Sequence, residues 1–375
     1  MPIEDKTSIT LAIIAGIRAQ FIKLAAIQRA IKDWNNSSTH PFNAISINSG
    51  QHYDDDLAGM FIRELNIGFD YDLTNKYQDK RPICLLGQMI PNLYDVLSQI
   101  KRPIDWVIVF GDANTTMAGA IAASKLGLPV IHVEAGLRTG DRKSPEEINR
   151  IVADHLAIIH FVSSKHDISN LLSEGLSSNV VWTGDLIGDF VENLASELHP
   201  NPFGYSAGEY VLASIHREEN LSSDSILKNL MIFLSGYSKR VVFIAHPRTR
   251  SRFKELGFYN LKNIDYIDTL SYKETLATIM DCAFLVTDSG AFQRESYYLG
   301  KRCLIRQDHP FWPSLVEAGV HKVVSGDRAN ILQGFRWIEN ALQSEQYPKI
   351  DDLGNGNAGR RILETIVRLS KRSYI

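Results

Sequence analysis

The 375-residue chain has little of what marks specialised classes of protein. Its three cysteines, Cys84, Cys282 and Cys303, lie far apart in apolar surroundings, a pattern that predicts neither a disulfide framework nor a metal knuckle and favours a reducing cytosol. The formal net charge of -3 predicts no nucleic-acid partner and no membrane partner. No apolar run reaches the ~18 residues of a membrane span, and the first residues lack the basic start of a secretion signal. We therefore expect a cytoplasmic globular protein of two domains.

Signatures of cofactors are also missing. The chain contains no H-E-x-x-H, no Cys-x-x-Cys and no P-loop, so we expect no metal site. The turn Gly16-Ile17-Arg18, after the first predicted strand, lacks the second and third glycines of a dinucleotide fingerprint, which argues against a nicotinamide cofactor. We expect no cofactor of any kind. Arg18 is a permanent cation that suits a phosphate, although an ordinary turn with an exposed arginine fits equally well.

Short apolar runs alternate with helical patterns throughout, which predicts parallel α/β sheets. Six runs precede a linker candidate rich in proline and glycine at residues 197–207, and five follow it. The predicted strands are 9–15, 44–48, 105–110, 129–133, 159–162, 180–183, 210–214, 240–245, 264–267, 283–287 and 302–305, with amphipathic helical stretches such as 19–33 and 55–65 between them. We expect two doubly wound Rossmann-like domains with parallel sheets facing a cleft. The first spans residues 1–195 and is completed by a C-terminal helix at 355–375, and the second spans 208–354.

Acidic residues follow two predicted strands of the first domain. Asp112 comes after the run 106–110, and Glu134 comes directly after 129–133. In an open parallel sheet these ends face the ligand crevice, so the carboxylates are placed for proton transfer or for sugar hydroxyls. Glu146 and Arg150 open the next predicted helix four residues apart. They fit either a helix-stabilising ion pair or a role in the crevice, where a cluster of carboxylates lets one act as an acid.

Helix starts and histidines mark the second domain. Ser289 and Gly290 follow the predicted strand 283–287, a geometry that binds phosphate through free backbone N–H groups and that also fits an N-cap. Ala291 and Glu295 lie on the same predicted helix, where the carboxylate is placed to accept ribose hydroxyls. His216 and His246 follow two other strands, and either imidazole suits a diphosphate or a proton transfer. The combination favours a nucleotide diphosphate.

Short motifs in a fixed order span nearly the whole chain. They are Gly50-Gln51-His52, Gly111-Asp112, His132-Val133-Glu134-Ala135-Gly136-Leu137-Arg138-Thr139-Gly140, Pro145-Glu146-Glu147 with Asn149-Arg150, Thr183-Gly184-Asp185, His216-Arg217-Glu218-Glu219-Asn220, His246-Pro247 and Asp288-Ser289-Gly290. Together they resemble the non-hydrolysing UDP-N-acetylglucosamine 2-epimerases. The resemblance implies a GT-B fold, a UDP-sugar substrate held mainly by its UDP in the second domain, and a homodimer formed through the first domain.

The resemblance also implies a two-step reaction. A base removes the C2 proton while UDP leaves C1, giving 2-acetamidoglucal, and UDP then adds back as C2 is reprotonated on the other face. The acid/base positions of the family match Asp112, Glu134, Glu146 and His216, and its first helix supplies Lys23. The residues implied in binding UDP and sugar are Arg18, Gln51, Gln78, Arg138, Arg150, His246, Ser289, Gly290, Ala291 and Glu295.

Departures from the family pattern bear on the identity of the substrate. The usual Gly-Thr-Arg-Pro-Glu is Gly16-Ile17-Arg18-Ala19-Gln20 here, and Ala291 replaces the second glycine of Ser-Gly-Gly. Residues 306–314, Arg-Gln-Asp-His-Pro-Phe-Trp-Pro-Ser, replace Arg-Glu-Thr-Thr-Glu-Arg-Pro-Glu. Tyr53-Asp54 also differs from the bacterial form, so allosteric activation by the substrate is not assumed.

Four functions therefore compete with the inversion of UDP-N-acetylglucosamine to UDP-N-acetylmannosamine for surface polysaccharide. A near relative acts on UDP-2,3-diacetamido glucuronate, and a hydrolysing epimerase would release UDP and the free sugar. A GT-B glycosyltransferase shares the architecture, since fold alone does not settle function. The altered segment 306–314 also suggests a nucleotide-sugar-binding protein without catalysis.

Overall fold

Two parallel β-sheets organise the chain, and every strand pairing in them is parallel. The computed structural model describes residues 8–52, 58–79, 81–308, 310–344 and 346–370. Contacts divide the chain into two units, the first comprising Met1–Phe190 with Asp351–Ile375 and the second Val191–Ile350. The predicted α/β class with two doubly wound parallel sheets is confirmed.

The first unit contains a seven-stranded sheet in the order β3-β2-β1-β4-β5-β6-β7. Its strands are β1 Ile9–Ala15, β2 Phe42–Asn48, β3 Tyr71–Asp72, β4 Trp106–Phe110, β5 Val130–Val133, β6 Ile159–Val162 and β7 Val180–Trp182. Its helices are α1 Arg18–Asn35, α2 Met60–Glu64, α3 Pro82–Gln99, α4 Asn114–Lys125, α5 Pro145–Leu156, α6 Lys165–Ser173 and α7 Leu186–Ala195, the last of which continues into the second unit. The strands β1, β4 and β5 are buried along their whole length, as expected of a parallel sheet with helices on both faces.

The second unit contains a six-stranded sheet in the order β10-β9-β8-β11-β12-β13. Its strands are β8 Tyr210–Ser214, β9 Arg240–Ile244, β10 Ile264–Ile267, β11 Leu285–Thr287, β12 Cys303–Ile305 and β13 Lys322–Val323. Its helices are α8 Glu218–Leu221, α9 Asp224–Ser235, α10 Pro247–Glu255, α11 Tyr272–Asp281, α12 Gly290–Tyr298, α13 Pro313–Glu317 and α14 Arg328–Leu342.

Residues from Asp351 onward belong to the first unit and end in α15, Ala358–Ser370. Hydrogen bonds hold this segment in place. The Trp182 indole donates to the Asp352 carbonyl at 2.8 Å, and the Gly359 amide donates to Asp189 Oδ2 at 2.8 Å. The predicted C-terminal helix extends to 375, but its last five residues lie outside the described part of the chain.

Most strand predictions are close to the structure. The strands at 9–15, 159–162, 210–214 and 264–267 have the predicted bounds, and the other seven differ by at most two residues at either end. The two-residue strands β3 and β13 were not predicted, because they lie at sheet edges and carry no apolar run. The predicted helical stretch 55–65 begins outside the described residues, and its later part contains α2. Of the helices that the structure describes, none is long and apolar enough to cross a bilayer.

Candidate functional site

The loops after β1, β4 and β5 form a candidate site within the first unit. These three strands are neighbours in the sheet, so their carboxyl ends lie side by side. The loop after β1 leads into α1, which carries Lys23. The loop after β4 carries Asp112, and β5 is followed directly by Glu134. Adjacent strand order therefore brings together three of the predicted catalytic residues.

Lys23 and Glu134 form a buried ion pair. Lys23 Nζ lies 2.8 Å from Glu134 Oε2, and the two side chains are only 4% and 8% exposed. Glu134 has a backbone φ of 70°, a region that costs a non-glycine residue energy and that recurs at functional sites. Gly111 passes so near the pair that a Cβ there would lie 3.1 Å from Lys23 Nζ and 3.3 Å from Glu134 Oε1. The resulting site is a tightly enclosed carboxylate with the Lys23 ammonium held beside it.

Asp112 is anchored to α5. Its carboxylate accepts a close hydrogen bond from Arg150 Nη2, and its carbonyl accepts one from Asn149 Nδ2 at 2.9 Å. Arg150 Nη1 also lies 3.6 Å from Glu147 Oε2. The Asp112 side chain keeps 29% of its surface exposed, whereas that of Arg150 keeps 4%. Arg150 therefore orients Asp112, and its predicted contact with the substrate stays a prediction.

The two glutamates that open α5 have different environments. Glu147 is buried, and it accepts hydrogen bonds at 3.0 Å from the Thr139 amide, the Thr139 hydroxyl and the Gly140 amide. Glu146 is exposed and accepts a hydrogen bond from Ser144 Oγ at 2.6 Å. Because Glu147 is committed to the loop 139–140, Glu146 is the member of this pair that can reach a ligand.

Gln51 joins the same group of loops. Its Oε1 accepts from the Thr115 amide at 2.9 Å and from the Thr115 hydroxyl at 2.8 Å, and that hydroxyl lies 2.6 Å from Ser49 Oγ. The half-buried guanidinium of Arg18 stacks on Phe61, 4.1 Å from the ring centroid. Gln78 is exposed, and its backbone N–H donates to Gln88 Oε1 at 3.0 Å. Gln51 therefore lies beside the loop after β4, whereas Gln78 contacts Gln88 of α3.

Gln20 has a part in this site that sequence reasoning missed. Its Oε1 accepts from the Gly16 amide at 2.9 Å, and its Nε2 donates to the Phe110 carbonyl at 2.8 Å and to Thr116 Oγ1 at 2.9 Å. The side chain thereby ties the β1 loop to the end of β4. In the sequence, this role is indicated only by a departure from the family motif Gly-Thr-Arg-Pro-Glu, in which Gln20 replaces the final glutamate.

Arg138 lies in a network of charged side chains. Its guanidinium donates to Glu174 at 2.7 and 2.8 Å, to Asp154 Oδ2 at 2.7 Å and to the Leu137 carbonyl at 2.9 Å. These four bonds occupy most of its five donors. The structure therefore gives Arg138 a role in holding the loop after β5, and its predicted part in substrate binding is untested.

In the second unit, a buried carboxylate orients the loop after β8. Asp288 accepts hydrogen bonds from the His216 amide at 3.1 Å, the Arg217 amide at 3.0 Å and Asn220 Nδ2 at 2.8 Å. The His216 imidazole is 42% exposed, and its Nδ1 lies 3.3 Å from Asp288 Oδ1. Asp288 thus fixes which way the His216 ring faces, and sequence reasoning had treated this aspartate only as part of a motif.

The start of α12 has the N-cap that the sequence offered as one alternative, and phosphate binding there stays a prediction. Ser289 is the N-cap, and its Oγ accepts from the Phe292 amide at 3.4 Å. Glu295, 2% exposed, and the half-buried Ala291 lie on this helix. His246 is exposed and caps α10, where its Nδ1 accepts from the Arg248 amide at 3.4 Å. The carboxyl edge of this sheet therefore presents a helix start and two histidines.

The altered segment 306–314 packs against the start of α12. Trp312 Nε1 donates to the Gly290 carbonyl at 3.2 Å, and a Cβ on Gly290 would lie 3.2 Å from the Phe311 ring. The Arg217 guanidinium lies 4.6 Å from the centroid of the same ring. His309 lies outside the described residues. Within the described ranges, no group of three or more histidine, cysteine or acidic side chains is arranged to hold a metal ion.

Comparison with known proteins shows the family. A family model described as UDP-N-acetylglucosamine 2-epimerase matches residues 35–367. The UDP-N-acetylglucosamine 2-epimerase of Methanocaldococcus jannaschii is 32% identical over 95% of this chain and 98% of its own length. The UDP-2,3-diacetamido-2,3-dideoxy-D-glucuronate 2-epimerase of Pseudomonas aeruginosa is also 32% identical, over 95% of this chain and 99% of its own.

Solved structures agree with the sequence comparison. The M. jannaschii UDP-GlcNAc 2-epimerase in complex with UDP-GlcNAc and UDP has a TM-score of 0.82 at 31% identity, covering 96% of this chain and 100% of that one. The Neisseria meningitidis enzyme bound to UDP-GlcNAc has a TM-score of 0.84 at 28% identity, with the same coverage. The two parallel sheets thus define an α/β protein of GT-B-like architecture. The chain belongs to the UDP-N-acetylglucosamine 2-epimerase family.

Proposed function

We propose that the protein inverts C2 of a UDP-2-acetamido sugar, converting UDP-N-acetylglucosamine into UDP-N-acetylmannosamine without hydrolysis. The observation that carries the proposal is the enclosed Lys23–Glu134 pair beside the Asp112 loop, at the carboxyl edge of the first sheet. The C2–H bond of a sugar is only weakly acidic, so removal of its proton needs a carboxylate that is held in place and shielded from water. The relative from M. jannaschii, crystallised with UDP-GlcNAc and UDP, supports this choice of substrate.

In the proposed reaction, one group of residues transfers protons at C2 and another binds UDP. Residues 1–195, with the C-terminal helix, carry the acid/base chemistry through Asp112, Glu134 and Glu146. One carboxylate takes the C2 proton as the C1–oxygen bond breaks and the electron pair leaves with UDP. In the second step UDP adds back to C1 of the 2-acetamidoglucal and a protonated group returns a proton to the other face of C2.

Residues 208–354 are proposed to bind UDP. The free N–H groups at the start of α12 and the Ser289 hydroxyl suit the diphosphate, and Glu295 suits the ribose hydroxyls. His216 and His246 add donors, and Arg18, which the family resemblance implies in binding UDP, is a permanent cation. No metal is needed to stabilise the leaving diphosphate in this scheme, because arginine, histidine and helix-terminal N–H groups supply the positive charge.

A second donor has support of its own. The P. aeruginosa relative is named for UDP-2,3-diacetamido-2,3-dideoxy-D-glucuronate and has the same 32% identity as the M. jannaschii relative. The aromatic segment at Phe311 and Trp312, which packs on the start of α12, sets this chain apart from the family pattern.

We also propose that the protein is a cytoplasmic homodimer that supplies surface-polysaccharide synthesis. This part of the proposal rests on the family resemblance. Light scattering would test whether the protein is a dimer.

Incubation in deuterated water tests the proposal. Each UDP-sugar is offered separately, and the recovered donor is analysed by NMR for deuterium at C2 and for the manno epimer. An epimerase places deuterium at C2 of both epimers, whereas accumulation of UDP with free N-acetylmannosamine would indicate hydrolysis. UDP binding without exchange on either donor would indicate a binding protein. Arg360→Met, on an exposed face of α15, serves as a matched control that must keep the wild-type rate.

A further inference from the structure

His132 lies in the middle of β5 with its ring between two acceptors. The residue is completely buried. Its Nδ1 lies 2.6 Å from Asp154 Oδ1, and its Nε2 lies 2.8 Å from the carbonyl oxygen of Gly111. A carbonyl oxygen only accepts, so Nε2 carries a proton and donates it.

The other ring nitrogen meets a carboxylate. Nδ1 and Asp154 Oδ1 share a hydrogen bond of 2.6 Å, and Asp154 is as completely buried as His132. The ring consequently links the Gly111 carbonyl to Asp154 by two hydrogen bonds.

Asp154 reaches the second loop directly. Its Oδ2 accepts from the Gly136 amide at 3.2 Å and from Arg138 Nη2 at 2.7 Å. Gly111 immediately precedes Asp112, and Gly136 lies two residues after Glu134. One buried carboxylate on α5 thus holds both turns from which the proposed proton-transfer groups project.

We propose that His132 and Asp154 form a positioning pair that sets the relative placement of the Asp112 and Glu134 carboxylates during proton transfer at C2. The inference rests on the proposed function, and neither residue touches the reacting atoms in this scheme. Misplacement of a catalytic group by about 1 Å can cost ~10²-fold in rate, so loss of the link changes turnover far more than binding.

Two substitutions of His132 separate the two halves of the link. The amide nitrogen of glutamine can occupy the place of Nε2, so His132→Gln keeps a donor to the Gly111 carbonyl. The amide nitrogen of asparagine takes the place of Nδ1, so His132→Asn keeps only the bond to Asp154. We expect kcat to fall ~10²-fold in His132→Asn, with KM for the UDP-sugar and Kd for UDP within about threefold of wild type. We expect kcat to fall in His132→Gln as well, because this variant loses the bond to Asp154 and the link is again broken.

This pattern differs from a merely structural role. If His132 were needed only for folding, both variants would give less folded protein and a lower Tm. Their kcat per mole of bound UDP would stay at the wild-type value. Wild-type kcat in either variant, measured on folded protein, overturns the proposal. If wild type exchanges C2 protons on no donor, the proposed function fails instead, and this failure is visible before any variant is made.

A measurement on the wild-type protein keeps the inference testable if His132→Asn does not fold. In ¹⁵N NMR of histidine-labelled protein, the Nε2 proton of the buried His132 ring should exchange slowly with water, because it is donated to the Gly111 carbonyl. The His132→Gln spectrum assigns the signal by its loss. An Nε2 proton that exchanges as fast as that of an exposed histidine would show that the link to Gly111 is open and would overturn the proposal.

Discussion

Replacing Lys23 by methionine tests how the site holds Glu134. The change removes the charge but keeps an unbranched side chain of similar length. Glu134, whose side chain is 8% exposed, would then lose a counter-charge that lies 2.8 Å away. Coulomb's law with an effective dielectric constant of about 20 gives ~6 kcal/mol for two unit charges at that distance.

Desolvation of both ions offsets much of this attraction, so the net value of the pair is small, but removal of Lys23 takes a counter-charge away from a buried carboxylate. Measured losses for such cases are ~3–5 kcal/mol. We expect Lys23→Met to lower the free energy of unfolding of the first unit by that amount. We expect Glu134→Gln in the same background to restore part of it, because the double variant no longer buries the Glu134 charge without Lys23.

The assay is a double-mutant cycle by urea unfolding, with the single variants, the double variant and wild type compared at one pH. Arg360→Met is the matched control, since Arg360 and Glu364 form an exposed pair with side chains 73% and 50% exposed. An exposed pair of this spacing contributes only ~0.3–0.5 kcal/mol. A loss for Lys23→Met as small as the control's, or strictly additive effects of Lys23→Met and Glu134→Gln, would refute the reasoning.

Three further changes have defined outcomes. Gly111→Ala adds a Cβ 3.1 Å from Lys23 Nζ at a backbone φ of 60°. The rate of proton exchange at C2 and the Tm should both fall, and an unchanged exchange rate would contradict the close approach of Gly111 to the ion pair. Gln20→Glu replaces the donor to the Phe110 carbonyl by an acceptor. The free energy of unfolding in urea should fall by ~1–3 kcal/mol, and an unchanged free energy would contradict the role of this hydrogen bond. Burial lowers the pKa of His321 to about 4 from 6.5, so the unfolded chain binds the proton first. The second unit should therefore lose up to ~3 kcal/mol as pH falls from about 6.5 to about 4, and Tm of His321→Gln should lack this slope.

The sequence predicted the layout of the site because the layout follows from strand order. Asp112 and Glu134 end neighbouring strands of a parallel sheet, and apolar runs reveal such strands directly. The same reasoning found Ser289 at the start of α12. Edge strands of two residues carry no such run, so β3 and β13 became visible only once their hydrogen bonds to neighbouring strands were known.

Partners of buried polar side chains were harder to predict. Glu146 and Glu147 are adjacent and chemically alike, and only the path of the loop 139–140 decides that Glu147 is the buried one. Two of the hydrogen bonds of Gln20 reach residues that lie 90 and 96 positions away in sequence. His132 meets Asp154 through the packing of α5 on the sheet, which no local pattern reveals. Such pairings depend on side-chain packing in three dimensions, whereas strand ends depend on periodicity alone.

The central claim is that Glu134 and Asp112 handle the proton at C2. Its most direct test is the rate at which C2 of UDP-N-acetylglucosamine takes up deuterium in wild type, Asp112→Asn and Glu134→Gln, each normalised to the amount of UDP bound. The account predicts ready uptake by wild type and none measurable in either variant, with UDP affinity unchanged. Wild-type uptake by Glu134→Gln would contradict it.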